Sequence, residues 1–458
     1  MINNTDDSHT RVRRYLPALF VTGAIIAFLS AALISLPVLE LKDILLPAIV
    51  LSVVNILSFF YCGGFFVTAS SVASYGIFMF VGYPAIYAAL GFYDRPQTVS
   101  PNSFLVVITL GFLAQVMMIS SLRGPKNEPK KDARPESTLM QGTDTRVFWL
   151  SFITFSLSVV LNVLGFSHIA SGFSWTALIG AAVLTFCKGR KTIYMRGLLL
   201  LITIVVVETG FSFGGFGRLN LAVLAISVVV VASLGLRTLL VKIGTVVLTG
   251  PALMFLVNQR LAFLEDQRGI SVNDSEGIGS VVGPFQSAAA IVDATTRGEL
   301  SLDWGLTVVK AALIWIPRAL WEDKPVGFGR EIVAVTQPNL LGSSTFSDAG
   351  TFIGEAVWNF GTWGALIFFV GMAILVRLLD RRLVLFAGQQ LDFRAALTLM
   401  LTALLSATLL NLVWGSTSTV ASRTLLPFVL LVVLFSLTRP EKPSNNFCRS
   451  AVAAEVSN

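Results

Sequence analysis

The sequence contains little charge. Only 13% of its 458 residues are Asp, Glu, Lys or Arg, and 54% are hydrophobic, whereas a soluble globular protein carries about 25% charged residues. This deficit, with a mean hydropathy of +0.77, excludes a soluble multidomain protein and indicates a polytopic, all-α membrane protein. Basic residues in such a protein mainly report topology. The net charge of +7 is therefore no evidence for nucleic acid, and we expect no nucleic-acid partner.

Cysteine and recognisable cofactor motifs are also scarce. Cys62, Cys187 and Cys448 fall within predicted helices or on the inner side, so we expect no disulfide, and their spacing fits no metal site. The sequence has no P-loop, dinucleotide fingerprint, zinc motif or nucleophile elbow. We therefore expect no metal and no other cofactor.

Apolar runs of membrane-spanning length fill most of the chain. With a cytoplasmic N-terminus, the inner segments hold 22 of the 33 Lys and Arg and the short outer loops hold 4. This asymmetry predicts that both termini are cytoplasmic. The runs predict twelve helices, at residues 15–36, 44–62, 65–90, 102–122, 147–164, 173–187, 196–213, 219–236, 239–257, 352–377, 395–414 and 420–437.

The spans divide the chain into four parts. Residues 1–257 are predicted to form a bundle of about nine helices, 258–351 a long extracytoplasmic loop, 352–437 the last three helices, and 438–458 a disordered cytoplasmic tail. The loop holds 11 of the 26 Asp and Glu. Its part from Asp266 to Gly283 is rich in Gly, Ser, Asn and Asp, which predicts a mobile segment. The Pro- and Lys-rich segment from Arg123 to Arg146 predicts a flexible linker.

An amphipathic helix is predicted within the long loop, near residues 302–316. Its apolar positions recur at helical spacing, with Asp303, Thr307 and Lys310 on the opposite face. Tryptophans in and beside it favour a helix lying at the membrane surface, because indole prefers the headgroup layer. The apolar positions are Leu302, Leu306, Val309, Leu313 and Ile316, and the tryptophans are Trp304, Trp315 and Trp321.

Three basic residues, Arg318, Lys324 and Arg330, follow this helix. Guanidinium and ammonium groups at headgroup height suit a diphosphate held at the membrane surface. Two simpler interpretations stay open. The cations could bind bulk phospholipid, or they could pair with the neighbouring acids Glu322, Asp323 and Glu331.

Other charged residues are predicted within or beside the spans. Glu208, placed deep in the seventh helix, needs a partner or a wet cavity, and Arg218 is a candidate for a structural or a functional pair. Arg423 begins the last helix and could simply extend to the interface. Glu355 lies at the start of the tenth helix, where the helix dipole alone favours a carboxylate.

Several of these residues resemble the Wzy-type O-antigen or oligosaccharide repeat-unit polymerases. The resemblance rests on Ile316-Pro317-Arg318 with Lys324-Pro325, on Gly354-Glu355 with Asn359-Phe360-Gly361, on the Gly217-Arg218 pair, and on a long outer loop before the last three helices. It implies a GT-C-like helical fold in the bacterial cytoplasmic membrane. It also implies two undecaprenyl-diphosphate-linked glycans as donor and acceptor, and a partner protein that sets chain length.

The implied reaction assigns roles to the candidate residues. An acceptor hydroxyl attacks the anomeric carbon of the donor and undecaprenyl diphosphate leaves, so fixed cations at the diphosphate would stabilise the transition state. Glu355 is the first candidate for the general base and Asp323 the second. The candidate cations are Arg218, Arg318, Lys324, Arg330 and Arg423.

Three other functions stay open at this level. An O-antigen ligase shares the layout, but ligases tend to carry a histidine in the large outer loop, and residues 258–351 contain none. A lipid-linked oligosaccharide flippase should carry several cations inside its helices, whereas the cations here collect in the outer loop and at the inner flanks. A non-catalytic scaffold for an envelope polysaccharide complex is the third.

Overall fold

The computed structural model describes residues 39–92, 99–120, 137–187, 191–209, 218–268, 275–314, 316, 320–338 and 347–438. This part of the chain is almost entirely helical, and nine of its helices are long and apolar enough to cross a membrane. The protein is therefore a multi-pass, all-α membrane protein, as its composition predicts.

Besides a 3-10 turn at Leu41–Ile44 that leads into the first of them, fifteen helices are described, numbered here in chain order. The first nine are α1 (Leu45–Tyr61), α2 (Ala69–Ala89), α3 (Pro101–Ser120), α4 (Thr143–Val163), α5 (Ser167–Phe186), α6 (Lys191–Val207), α7 (Arg218–Leu236), α8 (Leu239–Arg268) and α9 (Ser275–Thr296). The others are α10 (Leu306–Ala312), α11 (Phe328–Glu331), α12 (Val333–Thr336), α13 (Thr351–Phe386), α14 (Phe393–Trp414) and α15 (Thr417–Leu437).

Most of the predicted spans have a counterpart among these helices. The nine long apolar helices correspond to nine of the twelve predicted spans, and a shorter apolar stretch, Leu239–Phe255, corresponds to a tenth. The predicted span at 196–213 corresponds to α6, a 17-residue helix. The predicted first span, 15–36, and nearly all of the predicted tail lie outside the described residues, so the count of twelve stays a prediction.

Helix α14 forms the centre of the bundle. It packs against α2, α5, α7, α13 and α15, and most of its residues are buried, including the polar Thr402, Ser406 and Asn411. Helices α4 and α15 lie at the periphery, and few of their residues are fully buried. Large apolar side chains cover these exposed surfaces, as on Phe152 and Ile153 of α4, which is what lipid contact requires.

The long loop is not a polar loop throughout, which corrects the sequence interpretation. Helix α8 continues past the predicted boundary to Arg268, and residues 275–283 of the segment predicted to be mobile belong to helix α9, whereas residues 269–274 lie outside the described residues. From Val282 to Val292, α9 is largely buried against α3 and α13. Gly354 of α13 permits this packing, because a Cβ there would lie 3.1 Å from Ile291 Cδ1. Small residues allow close helix contact but lower the apparent hydrophobicity of the segment.

The ends of the helices define two ends of the bundle. We call the end that holds α10 and the start of α13 the loop end. At the opposite end, Lys242 is fully buried and donates hydrogen bonds to the carbonyls of Phe59 and Cys62, at 2.8 and 2.6 Å. Asp380 accepts one from Ser70 N at 3.1 Å. A cation at the C-terminus of α1 and an anion at the N-terminus of α2 both satisfy the helix dipoles.

A short parallel strand pair also lies at the opposite end. Strand β1 (Thr138–Leu139) pairs with β2 (Gln390–Leu391), and Ser137 Oγ donates to Phe386 O at 2.8 Å. The last residues of the predicted linker 123–146 are therefore ordered, in part as this strand and in part as the start of α4. Residues 121–136 lie outside the described residues.

Candidate functional site

The centre of the loop end is the carboxylate of Glu355, the fifth residue of α13. Its side chain is fully buried. Oε1 accepts hydrogen bonds from the hydroxyls of Thr307 and Thr417, at 2.9 and 2.6 Å, and Oε2 accepts one from the Thr417 backbone N–H at 2.8 Å. In this arrangement Glu355 is not open to a substrate. It holds α10 and α15 against α13.

Asn359 completes this attachment one helical turn further along α13. Its Oδ1 accepts a hydrogen bond from Gly305 N at 3.0 Å, and its Nδ2 donates to Thr307 Oγ1 at 2.7 Å and to Glu355 O at 2.8 Å. Gly361 follows with φ 73° and ψ 175°, a conformation inside α13 that favours glycine. The segment singled out in the sequence as Gly354 to Gly361 therefore positions helix α10.

The amphipathic helix of the loop is present but shorter than predicted. It runs from Leu306 to Ala312 rather than across 302–316. Thr307 and Ala311 are buried, whereas Leu306 is 46% and Val309 53% exposed. The polar face is therefore turned to the protein and the apolar face away from it, which is the orientation a helix needs to rest on lipid.

Lys310 connects α10 to α11. Its Nζ lies 3.1 Å from Asp303 Oδ2 and 2.5 Å from Glu331 Oε1, and its side chain is only 11% exposed. Burial lowers the pKa of Lys310, but the hydrogen bonds to Glu331 and Asp303 outweigh it and leave the pKa above the usual lysine value. Glu331, a predicted partner for the loop cations, thus pairs with Lys310.

The predicted basic cluster is only partly described. Lys324 Nζ donates hydrogen bonds to the carbonyls of Ile314 and Ile316, the latter at 2.8 Å. These bonds hold Lys324 against the residues that follow α10. Arg330 lies on α11, and both it and Asp323 are exposed. Arg318 lies outside the described residues.

This segment of the loop covers the start of α15. Phe328 is fully buried, with its ring 5.9 Å from that of Trp358. Gly327 lies beside Ser418, such that a Cβ on the glycine would be 3.4 Å from Ser418 Cβ. Gly327 therefore lies at the start of α15, four residues after Asp323 in the chain.

The pair proposed from the sequence between Glu208 and Arg218 is not described. Glu208 lies in a π-helical turn that continues α6, and it accepts a hydrogen bond from Ser174 Oγ. Arg218 begins α7, and its side chain lies outside the described part.

Arg423 occupies a different environment from the other candidate cations. It lies in α15, with Nη1 3.4 Å from Asn411 Oδ1 and Cζ 5.6 Å from the centre of the Trp414 ring. Among the described residues it has no acidic partner. Sequence reasoning missed Asn411, and the only signal was an amide inside the apolar run Leu409-Leu410-Asn411-Leu412-Val413.

No protein-family model matches this chain, and neither a curated protein nor a solved structure does. The chemistry of the loop end must therefore be inferred from its own residues.

Proposed function

We propose that this chain is a membrane glycosyltransferase that polymerises undecaprenyl-diphosphate-linked oligosaccharide repeat units on the extracytoplasmic side of the bacterial cytoplasmic membrane. The observation that supports this function best is Arg423, a cation in a membrane-spanning helix with no acidic partner among the described residues. A charge within a span costs at least about 2.5 kcal/mol. A lipid-borne anion would offset that cost.

In the proposed reaction, an acceptor sugar hydroxyl attacks the anomeric carbon of the donor. The new C–O bond forms as the bond to the diphosphate breaks, and the electron pair leaves with undecaprenyl diphosphate. Arg423 would stabilise the negative charge that grows there. Arg318, Arg330, Lys324 and Arg218 stay candidates for the outer part of the diphosphate.

The hydroxyl proton needs a base, and we assign that role to Asp323 rather than to Glu355. Asp323 is exposed and lies four residues before Gly327, which contacts the start of α15. Glu355 is fully buried, and both of its oxygens accept hydrogen bonds from protein donors. A general base must reach the proton that it removes, so the exposed carboxylate fits better. The GT-C-like fold suggested by the resemblance belongs to the same proposal.

Gene deletion followed by a gel of the surface glycan tests this function. We expect the deletion strain to carry a single repeat unit on its lipid anchor, and a plasmid copy to restore long chains. Polymer that accumulates on its lipid carrier would instead indicate a ligase. Repeat units that remain on the inner leaflet would indicate a flippase. An unchanged ladder would reject a role in this pathway.

A further inference from the structure

The last two helices place an arginine beside an amide whose hydrogen-bonding capacity is not filled. Asn411 of α14 is fully buried. Its Oδ1 accepts from Arg423, but its Nδ2 has no hydrogen-bond partner in the described part of the chain. A buried donor without a partner is unfavourable, so it calls for an explanation.

Within the described part of the chain, the surroundings of this pair provide donors and positive charge but no counter-charge. The guanidinium of Arg423 lies over the Trp414 ring, which attracts a cation through its electron-rich face but supplies no anion. Asn411 offers N–H groups on one side. A guanidinium next to free amide donors is the arrangement that binds phosphate oxygens.

The position of the pair suits a lipid phosphate. Asn411 lies three residues before Trp414, the end of α14, which is about 4–5 Å along the helix axis. The pair therefore lies near the loop end and not at the bundle centre. Helix α15 is peripheral, and Arg423 itself is only partly buried, so a lipid can approach from the bilayer.

We propose that Arg423 and Asn411 form a subsite for a phosphate group of a membrane lipid. Resting on the proposed function, we assign this phosphate to the diphosphate of the polyprenyl carrier. Asn411 would then be a second binding residue for the leaving group, reached when the phosphate displaces the side chains that cover its unpaired Nδ2, with Trp414 orienting the guanidinium. The subsite lies within the helices, whereas the basic cluster predicted from the sequence lies in the loop.

Asn411→Asp separates this proposal from a purely structural role. The substitution keeps the shape of the side chain, removes both amide N–H groups and places a carboxylate beside Arg423. If Asn411 only positions the arginine, an ion pair would hold Arg423 as well as or better than the amide does. If the pair binds phosphate, the carboxylate neutralises the cation and repels the ligand. A purely structural role therefore predicts that Asn411→Asp keeps the site intact, whereas the subsite predicts that it loses phosphate binding.

Binding can be measured with the full-length protein in phosphatidylcholine nanodiscs, using geranylgeranyl diphosphate as the probe and geranylgeraniol as the phosphate-free control. We expect the wild type to bind only the diphosphate, and Asn411→Asp and Arg423→Gln to weaken binding about tenfold or more. Arg394→Gln is the matched control. It alters another arginine–aromatic contact between α14 and α15, where Arg394 Cζ lies 4.1 Å from the Phe435 ring centre, and it should bind normally.

Undiminished binding by Asn411→Asp or by Arg423→Gln would overturn the subsite. Should Asn411→Asp fail to fold, as judged by size exclusion, Arg423→Gln decides alone. Adding phosphatidylglycerol to the nanodiscs tests the other phosphate source. If phosphatidylglycerol abolishes diphosphate binding to the wild type, the subsite belongs to a phospholipid headgroup and the polyprenyl carrier is rejected. If the diphosphate still binds, the assignment to the carrier is supported. The binding assay needs no turnover, so its outcome is independent of the gene-deletion result.

Discussion

Glu355 Oε2 accepts a hydrogen bond from the backbone N–H of Thr417, the first residue of α15, at 2.8 Å. The first N–H groups of a helix have no partner within it. Here a carboxylate from α13 accepts a hydrogen bond from one of them, and the positive end of the α15 dipole stabilises its negative charge. The same carboxylate accepts from Thr307 of α10. One buried acid thus joins three helices at the loop end.

Replacing Glu355 tests this role. Glu355→Ala should lower the free energy of unfolding by about 1–3 kcal/mol, because it leaves buried donors on Thr417 and Thr307 without an acceptor. Glu355→Gln should cost less, since its carbonyl can still accept from the Thr417 N–H. Denaturant titration in detergent measures both. Glu299→Gln, at a 55% exposed side chain, serves as the control with little effect. Full stability of Glu355→Ala together with lost turnover would return Glu355 to the role of base.

The backbone at Gly361 gives a second prediction. Any L-residue at φ 73° and ψ 175° is strained, so Gly361→Ala should destabilise the protein by about 1–3 kcal/mol and loosen the attachment of α10. Gly371 is the matched control, because it lies in the same helix with open space around its Cβ position. Gly371→Ala should be neutral or stabilising by up to about 1 kcal/mol. Equal thermal shifts for the two variants would contradict the strain.

Lys242 offers a test at the opposite end. Lys242→Met keeps much of the side-chain volume but removes the donor to the carbonyls that end α1. We expect a loss of about 2 kcal/mol or more, visible as a lower melting temperature and less monodisperse protein. Lys191→Met removes an exposed lysine at the start of α6 and should behave as wild type. Similar behaviour of both variants would show that the buried lysine is dispensable.

The ion pairs of Lys310 predict that the stability of the fold decreases at alkaline pH. Because the folded-state pKa of Lys310 lies above the usual value of 10.5, its ion pairs add stability that is complete below that value and is lost as pH rises through the folded-state pKa. Melting temperatures from about pH 8 to pH 11.5 should fall more steeply at the upper end for the wild type than for Lys310→Met. Parallel curves would mean that Lys310 adds no stability.

The orientation of the bundle can be read by cysteine labelling. Glu299 precedes α10 at the loop end, and Gln389 lies in the turn after α13 at the opposite end. In a Cys448→Ser background, an impermeant maleimide should label Glu299→Cys in intact spheroplasts and Gln389→Cys only after permeabilisation. The native Cys62 and Cys187 are buried and should stay unlabelled. The reverse pattern would place the loop end in the cytosol and remove the basis of the proposed function.

Hydrophobic periodicity and run length predicted most of the spans, because lipid requires about twenty apolar residues per crossing helix. Helix α9 escaped this reasoning. Its buried part, with Gly283, Ser287 and the alanines at 288–290, is only weakly hydrophobic. It is buried through close contact with α13, and such contact depends on a neighbour distant in sequence.

At the site, too, some features follow from the sequence and others only from the tertiary structure. Sequence by itself determined that the protein is membrane-embedded, and it identified Glu355 and Arg423 as charges that need an explanation, because charge is costly where apolar residues surround it. Only the tertiary structure decided their environments. Glu355 meets donors from α10 and α15, whereas Arg423 meets Asn411 and no described acid. Partners that lie 12 to 62 residues apart come together through helix packing, which no local pattern encodes.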